Sequence, residues 1–166
     1  MEVENMYTVQ QMQALDYLLK RILLESNYPF YEKNLKLVIS YNNKLWYGDF
    51  VQMDGVFAYQ YFIDDIGDIE KVRFSPNYDN SALFKSIWDS YQETISRNNL
   101  FKKINDPTML FNSLLRILNY ADINDEFSPF YPYLLNAKTL KGSLELPLIN
   151  LEDTDIELVS IIEVID

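Results

Sequence analysis

The sequence predicts an α+β protein: a four-stranded antiparallel meander with about three helices packed on one face and one or two C-terminal strands. Three observations lead there. Residues 35–74 alternate apolar and polar positions with a period of two, the pattern of half-buried strands. Asn42-Asn43, Asp54-Gly55 and Asp64–Asp68 interrupt that pattern with residues that tolerate the positive φ of tight hairpins. Three segments outside this stretch repeat apolar residues at helical spacing.

The first helix starts at Thr8. Thr8-Val9-Gln10-Gln11 fits a capping box, and Met12, Leu15, Leu18, Leu19, Ile22 and Leu23 form one apolar stripe. Asn27 and Pro29 end it near Ser26. Strands are then expected at Leu35–Tyr41, Lys44–Met53, Val56–Ile63 and Ile69–Phe74. A two-residue turn at Asn42-Asn43 sets Ile39 opposite Trp46, Leu37 opposite Gly48, and Lys36 opposite Asp49 as a charged cross-strand pair. A second turn at Asp54-Gly55 places Tyr59 beside Phe50, Tyr61 beside Gly48 and Ile63 beside Trp46, on the same face. Gly48 makes room for the Tyr61 ring or marks a bulge. A four-residue loop through Asp64–Gly67 adds Val72 and Phe74 to that face and sends Lys71 and Arg73 to the other.

A second helix is expected over Ser81–Asn98, with Lys85–Asp89 and Glu93–Arg97 pairs on its wet side. Asp106-Pro107 starts a third, to Tyr120, whose few polar residues predict that it is the central buried helix. Phe127–Tyr133 packs four aromatics between prolines and reads as an extended lid over the core. Leu144–Ile149 and Asp155–Ile165 are the C-terminal strands, the last apolar on both faces and expected to be covered on both. At 166 residues the chain is read as a single domain, 1–166, able to bury roughly 70% of its unfolded surface.

The chemistry is defined largely by what is missing. With no cysteine and no histidine, Ser-His-Asp and Cys-His nucleophile arrangements and the common zinc and haem sites are excluded. The four glycines match neither a dinucleotide fingerprint nor a P-loop, so no cofactor is expected. No basic run exceeds Lys102-Lys103, which disfavours direct nucleic-acid binding. The acidic Met1–Glu4 lacks the pattern of a signal peptide and no run is long enough to span a bilayer, so a cytoplasmic protein without membrane contact is expected.

Charge is the positive signal. The net charge is -11, and residues 122–166, with ten acids against two bases, contribute -8 of it. Glu152, Asp153, Asp155 and Glu157 concentrate carboxylates within six positions, and Asp64, Asp65 and Asp68 form a second group in a turn. The Asp64–Glu70 turn lacks the ligand spacing of an EF-hand, the Glu152–Glu157 group could form a carboxylate site, and solvated loops account for both runs as well. Such a field favours a basic protein partner, a nuclease or another nucleic-acid-binding effector being the natural type. In composition the chain is similar to proteins that neutralise other proteins, such as immunity proteins against nuclease toxins and viral inhibitors that mimic nucleic-acid charge. The expected function is therefore non-enzymatic binding through these seven acids. The alternatives are a small assembly subunit and a carboxylate- or Mg-dependent hydrolase.

Overall fold

Asn42 and Asn43 both sit in the left-handed region, at φ 49° and 60°. That is the geometry of a two-residue type I′ turn. They close a hairpin between β1 (Leu35–Tyr41) and β2 (Lys44–Phe50), pairing Ile39 with Trp46 and Tyr41 with Lys44 as expected. Lys36 and Asp49 form the expected ion pair. Leu35, Leu37, Ile39, Trp46 and Phe50 are all buried in one core cluster, so the alternation along this hairpin is the predicted one. This is a computed structural model that describes residues 7–50, 58–63, 69–74, 81–97, 99–121, 133–142, 144–151 and 156–165.

Beyond Phe50 the sheet departs from the expected meander. β2 is flanked by β5 (Tyr133–Thr139) and not by β3 (Ala58–Ile63). With β6 (Glu145–Asn150) and β7 (Glu157–Glu163), the five-stranded antiparallel order is β6-β5-β2-β1-β7. The anticipated neighbours Phe50–Tyr59, Gly48–Tyr61 and Trp46–Ile63 therefore do not meet. β3 pairs instead with β4 (Ile69–Phe74) in a separate two-stranded sheet, with Tyr61 opposite Lys71 and Tyr59 opposite Arg73. The connection there is one residue longer than expected, which reverses the predicted facing of the fourth strand.

Gly48 explains why β5 fits where β3 was expected. The β2–β5 register shifts by one residue between Tyr47 and Asp49, and Asn136, at φ 53°, is the extra residue on β5. This is a bulge, and asparagine takes the positive φ that it requires. A Cβ at Gly48 would lie 2.6 Å from the Leu135 carbonyl oxygen and 3.2 Å from Ala137 Cα. The bulged backbone thus occupies the space that a side chain would fill. Pro147, on edge strand β6, lies between the Leu135–Leu148 and Ala137–Leu146 pairs, an edge position that a proline tolerates.

A second bulge lies in β7. Val38 pairs with Ser160 but Ile39 with Leu158, which leaves Val159 as the extra residue. The slip turns Leu158 and Ile156 toward the core, where both pack as partly buried residues. β7 was expected to be covered on both faces. The exposure of Val159 shows that the strand is not fully covered, and β7 is also an edge of the described sheet. On the β1 face away from Ile39, Val38 is buried, and Tyr47 opposite it is half-buried.

The helices start at their local signals, but α1 stops at Ile22 and not near Ser26, with Leu23 as its C-cap. α1 (Val9–Ile22) opens with the capping box: Thr8 N–H donates to Gln11 Oε1 at 2.8 Å and Gln11 N–H to Thr8 Oγ1 at 3.1 Å. α2 (Ser81–Arg97) carries the Lys85–Asp89 and Glu93–Arg97 pairs on exposed side chains. A 3₁₀ turn, Asn99–Lys103, leads to α3 (Pro107–Tyr120), which starts with Thr108 N–H donating to Asp106 Oδ1 at 2.8 Å. The central helix is α1, not α3. Gln10, Gln13 and Asp16 are buried on it beside its apolar stripe, whereas α3 leaves Met109 56% exposed. Apolar content alone pointed to α3, yet both helices contact the other two helices and one strand each, and it is α1 that buries polar residues as well as its stripe. The aromatic-proline segment read as a lid overlaps β5, whose first residue is Tyr133; the rest of it lies outside the described residues.

Because the obstruction at Gly48 is backbone on a paired strand, Gly48→Ala should destabilise the fold by about 1–3 kcal/mol and Gly48→Val by more. Urea unfolding is the measurement: the midpoint should fall at constant slope. An unchanged midpoint in Gly48→Ala would refute the close β2–β5 approach.

Candidate functional site

Of the seven acids expected to meet a partner, Glu157 is the one within the described residues. It is the first residue of β7, exposed, and opposite Ser40 of β1. The Val159 bulge places it on the face away from Leu158 and Ile161. Asp64, Asp65 and Asp68, between β3 and β4, and Glu152, Asp153 and Asp155, ahead of β7, lie outside the described residues. At the other end of β7, Glu163 pairs with Leu35 across the strands and sits 3.8 Å from Lys33. The described edge therefore carries one exposed carboxylate toward each end, on opposite faces. Glu163 was not among the expected contacts, because its fixing by Lys33 depends on a strand pairing that sequence spacing does not reveal. No described strand lies beyond β7.

A chain of charges ties α1 to the first hairpin. Lys20 Nζ lies 3.1 Å from the buried Asp16 carboxylate and 3.6 Å from Asp49, which also takes Lys36. Burial lowers the Lys20 ammonium, but Asp16 and Asp49 outweigh it and hold it above its ordinary value. The chain satisfies charges that would otherwise be costly to bury.

Two buried phenols lie between the helices. Tyr28 OH donates to the Phe101 carbonyl at 3.3 Å, Tyr91 OH approaches Glu25 Oε2 at 3.4 Å, and the Tyr28 and Tyr91 rings each meet Phe101 edge-on. Burial pushes both phenols well above their ordinary value. Glu25 adds to this at both, and Tyr91 adds to it at Tyr28. A phenol held so firmly neutral is a structural group, not a base working near neutral pH.

The helical surface holds an arrangement not anticipated from the sequence. The Arg21 guanidinium lies 3.9 Å over the Trp88 ring, and its Nη1 donates to the Tyr17 hydroxyl. The Tyr17–Arg21 spacing is legible as one helical turn, but Trp88 comes from α2 and only the α1–α2 packing brings it there. Among the described residues, no group of three or more His, Cys, Asp or Glu is placed to hold a metal ion. Also among them, no helix is long and apolar enough to cross a membrane. Comparison of the chain with protein-family models, with curated proteins and with solved structures finds no match.

The pKa directions give an alkaline prediction. Tyr28, Tyr91 and Lys20 all have folded values above the unfolded ones, so the stability they contribute is complete below the unfolded values, near 10 for tyrosine and 10.5 for lysine. It is lost as pH rises through the raised folded values. Titration of phenolate absorbance should show Tyr28 and Tyr91 ionising only together with loss of the far-ultraviolet circular dichroism. Tyr28→Phe and Tyr91→Phe should each remove one late-ionising group. Ionisation of either phenol near pH 10 in a folded chain would contradict the burial described.

Proposed function

We propose that this chain is a non-enzymatic acidic binding protein that covers a basic surface of a protein partner. The partner is a nuclease or another nucleic-acid-binding effector, and the chain acts in the manner of an immunity protein or an inhibitor that mimics nucleic-acid charge. The observation that carries this reading is the placement of charge: residues 122–166 hold ten acids against two bases in a chain of net charge -11. Carboxylates packed this closely repel one another, and a basic partner offsets the cost. Glu152, Asp153 and Asp155 immediately precede Glu157, whose exposure at the start of edge strand β7 makes it available for contact. Asp64, Asp65 and Asp68 form the second part of the contact.

In this reading the three helices cover the sheet face that carries Leu35, Leu37 and Ile39, which share one core cluster with helical residues. The acids then act by occlusion and by steering. Carboxylates take the positions of phosphates, and long-range attraction raises the encounter rate. The protein works in the cytoplasm and turns over no substrate.

The test uses the partner isolated with the tagged protein from its own cells. Glu152→Lys combined with Asp155→Lys should leave the melting temperature nearly unchanged and slow association about tenfold at low ionic strength. The deficit should shrink as salt screens the steering. Unaltered association in that variant at low ionic strength would remove the C-terminal acids from the contact and leave Asp64, Asp65 and Asp68 to account for it.

A further inference from the structure

We infer that the α1–α2 surface around Arg21 is a binding subsite for a carboxylate carried beside an apolar side chain on a protein partner. It lies on a different part of the chain from the C-terminal acids and stands independently of the function proposed for them. Arg21 is exposed, yet held on two sides. The Trp88 ring lies under its guanidinium plane at 3.9 Å, and the Tyr17 hydroxyl accepts from Nη1. Stacking fixes the plane and the hydrogen bond fixes its rotation. A guanidinium has five N–H donors in a rigid fork, and this contact uses one. The donors that remain are thus pre-oriented, which is what bidentate recognition of a carboxylate requires.

Arg21 differs in this from the bases around it. Lys20, Lys85 and Arg97 each sit within 3.6 Å of a carboxylate, whereas no carboxylate among the described residues pairs with Arg21. Its guanidinium keeps an open charge in a protein of net charge -11. Leu24 follows it by three residues, 78% exposed and hydrogen-bonded through its backbone N–H to the Arg21 carbonyl. Tyr17, Arg21 and Leu24 therefore succeed one another along α1 and its C-terminal turn, with Trp88 beneath. Arginine and tryptophan next to an exposed leucine is the composition of an interface anchor.

The open guanidinium selects an anionic group, and the global charge limits its size. The acids nearest the site in sequence are already engaged: Asp16 by Lys20, Glu25 by the Tyr91 hydroxyl, and Asp89 and Glu93 by Lys85 and Arg97. A polyanion or a dianionic phosphate is opposed by the -11 field in proportion to its charge, whereas a single carboxylate loses least and its apolar neighbour gains contact with Leu24 and Trp88. The occupant that fits is an acidic side chain adjacent to an aliphatic one, as in a Glu-Leu sequence.

The experiment is a nuclear magnetic resonance titration of the full chain with N-acetyl-Glu-Leu-amide in the millimolar range, following the side-chain N–H signals of Arg21 and Trp88. Saturable shifts of both are expected. Arg21→Gln should abolish them, Arg21→Lys should weaken binding about tenfold because an ammonium lacks the fork, and Leu24→Ala should weaken the dipeptide but not acetate. Amide spectra of these exposed-site variants establish that they fold. Three results would overturn the inference: absence of saturable shifts, equal shifts with N-acetyl-Gln-Leu-amide, or tighter binding of inorganic phosphate than of the Glu-Leu probe. The second would make the site an apolar patch and the third a general oxyanion site.

Discussion

The sheet depends on the contact between Gly48 and the bulged backbone of β5. With the position of its Cβ only 2.6 Å from the Leu135 carbonyl oxygen, β2 can accept this neighbour only where it has no side chain. Acceptance of β5 on that side has consequences for the whole topology. It excludes β3, which forms its own two-stranded sheet, and it brings β6 in as one edge. The other side of the hairpin is then filled by β7 against β1, so the last strand of the chain becomes the second edge. A bulge at Asn136 on one side and one at Val159 on the other adjust the alternation so that Leu134 and Leu158 both face the core. The exposed position of Glu157 is a remote result of the same adjustments.

What the sequence made legible was local. The Thr8 capping box, the Asp106 cap before Pro107, the type I′ turn at Asn42-Asn43 and the Lys36–Asp49 pair are set by residues within one turn or one hairpin of each other, and each is present. The strand order was not legible, because β2 and β5 are separated by more than eighty residues and pairing at that distance leaves no periodic trace. β5 was also disguised. It begins at Tyr133, directly after Pro132, in a stretch whose aromatics and prolines resemble a loop. Gly48 does mark a bulge, and what comes close to it is the backbone of β5 and not an aromatic ring. The glycine signals a close approach but does not say of what.

The same division applies to function. Charge density is a property of sequence, so the acids from Glu152 to Glu157 were visible at once. The Arg21 arrangement was not, because an arginine in a helix becomes a pre-oriented group only when Trp88 from another helix lies beneath it. Neither polarity nor spacing separates Arg21 from Lys20, one residue earlier. Lys20 is nonetheless drawn inward by Asp16 and Asp49, and Arg21 is turned outward onto an aromatic ring. Two adjacent cations thus acquire opposite roles from tertiary packing: one secures the core helix to the hairpin and the other is presented to solvent.

The charges on β7 also bear on how an open strand edge avoids pairing with a second copy. An exposed strand edge is a template for pairing with another copy, and β6 is interrupted by Pro147, whereas β7 contains no proline from Glu157 to Glu163. In an antiparallel pairing of two β7 strands, Glu157 and Glu163 would lie on opposite faces, so their like charge opposes association through its field and not as a cross-strand pair. The Val159 bulge adds twist to the same edge and makes a flat second strand harder to seat. Lys33 offsets Glu163 only through an exposed pair, and pairs of that kind contribute at most about 1 kcal/mol. The edge therefore remains acidic, and its charge and bulge both disfavour a second copy of the same strand.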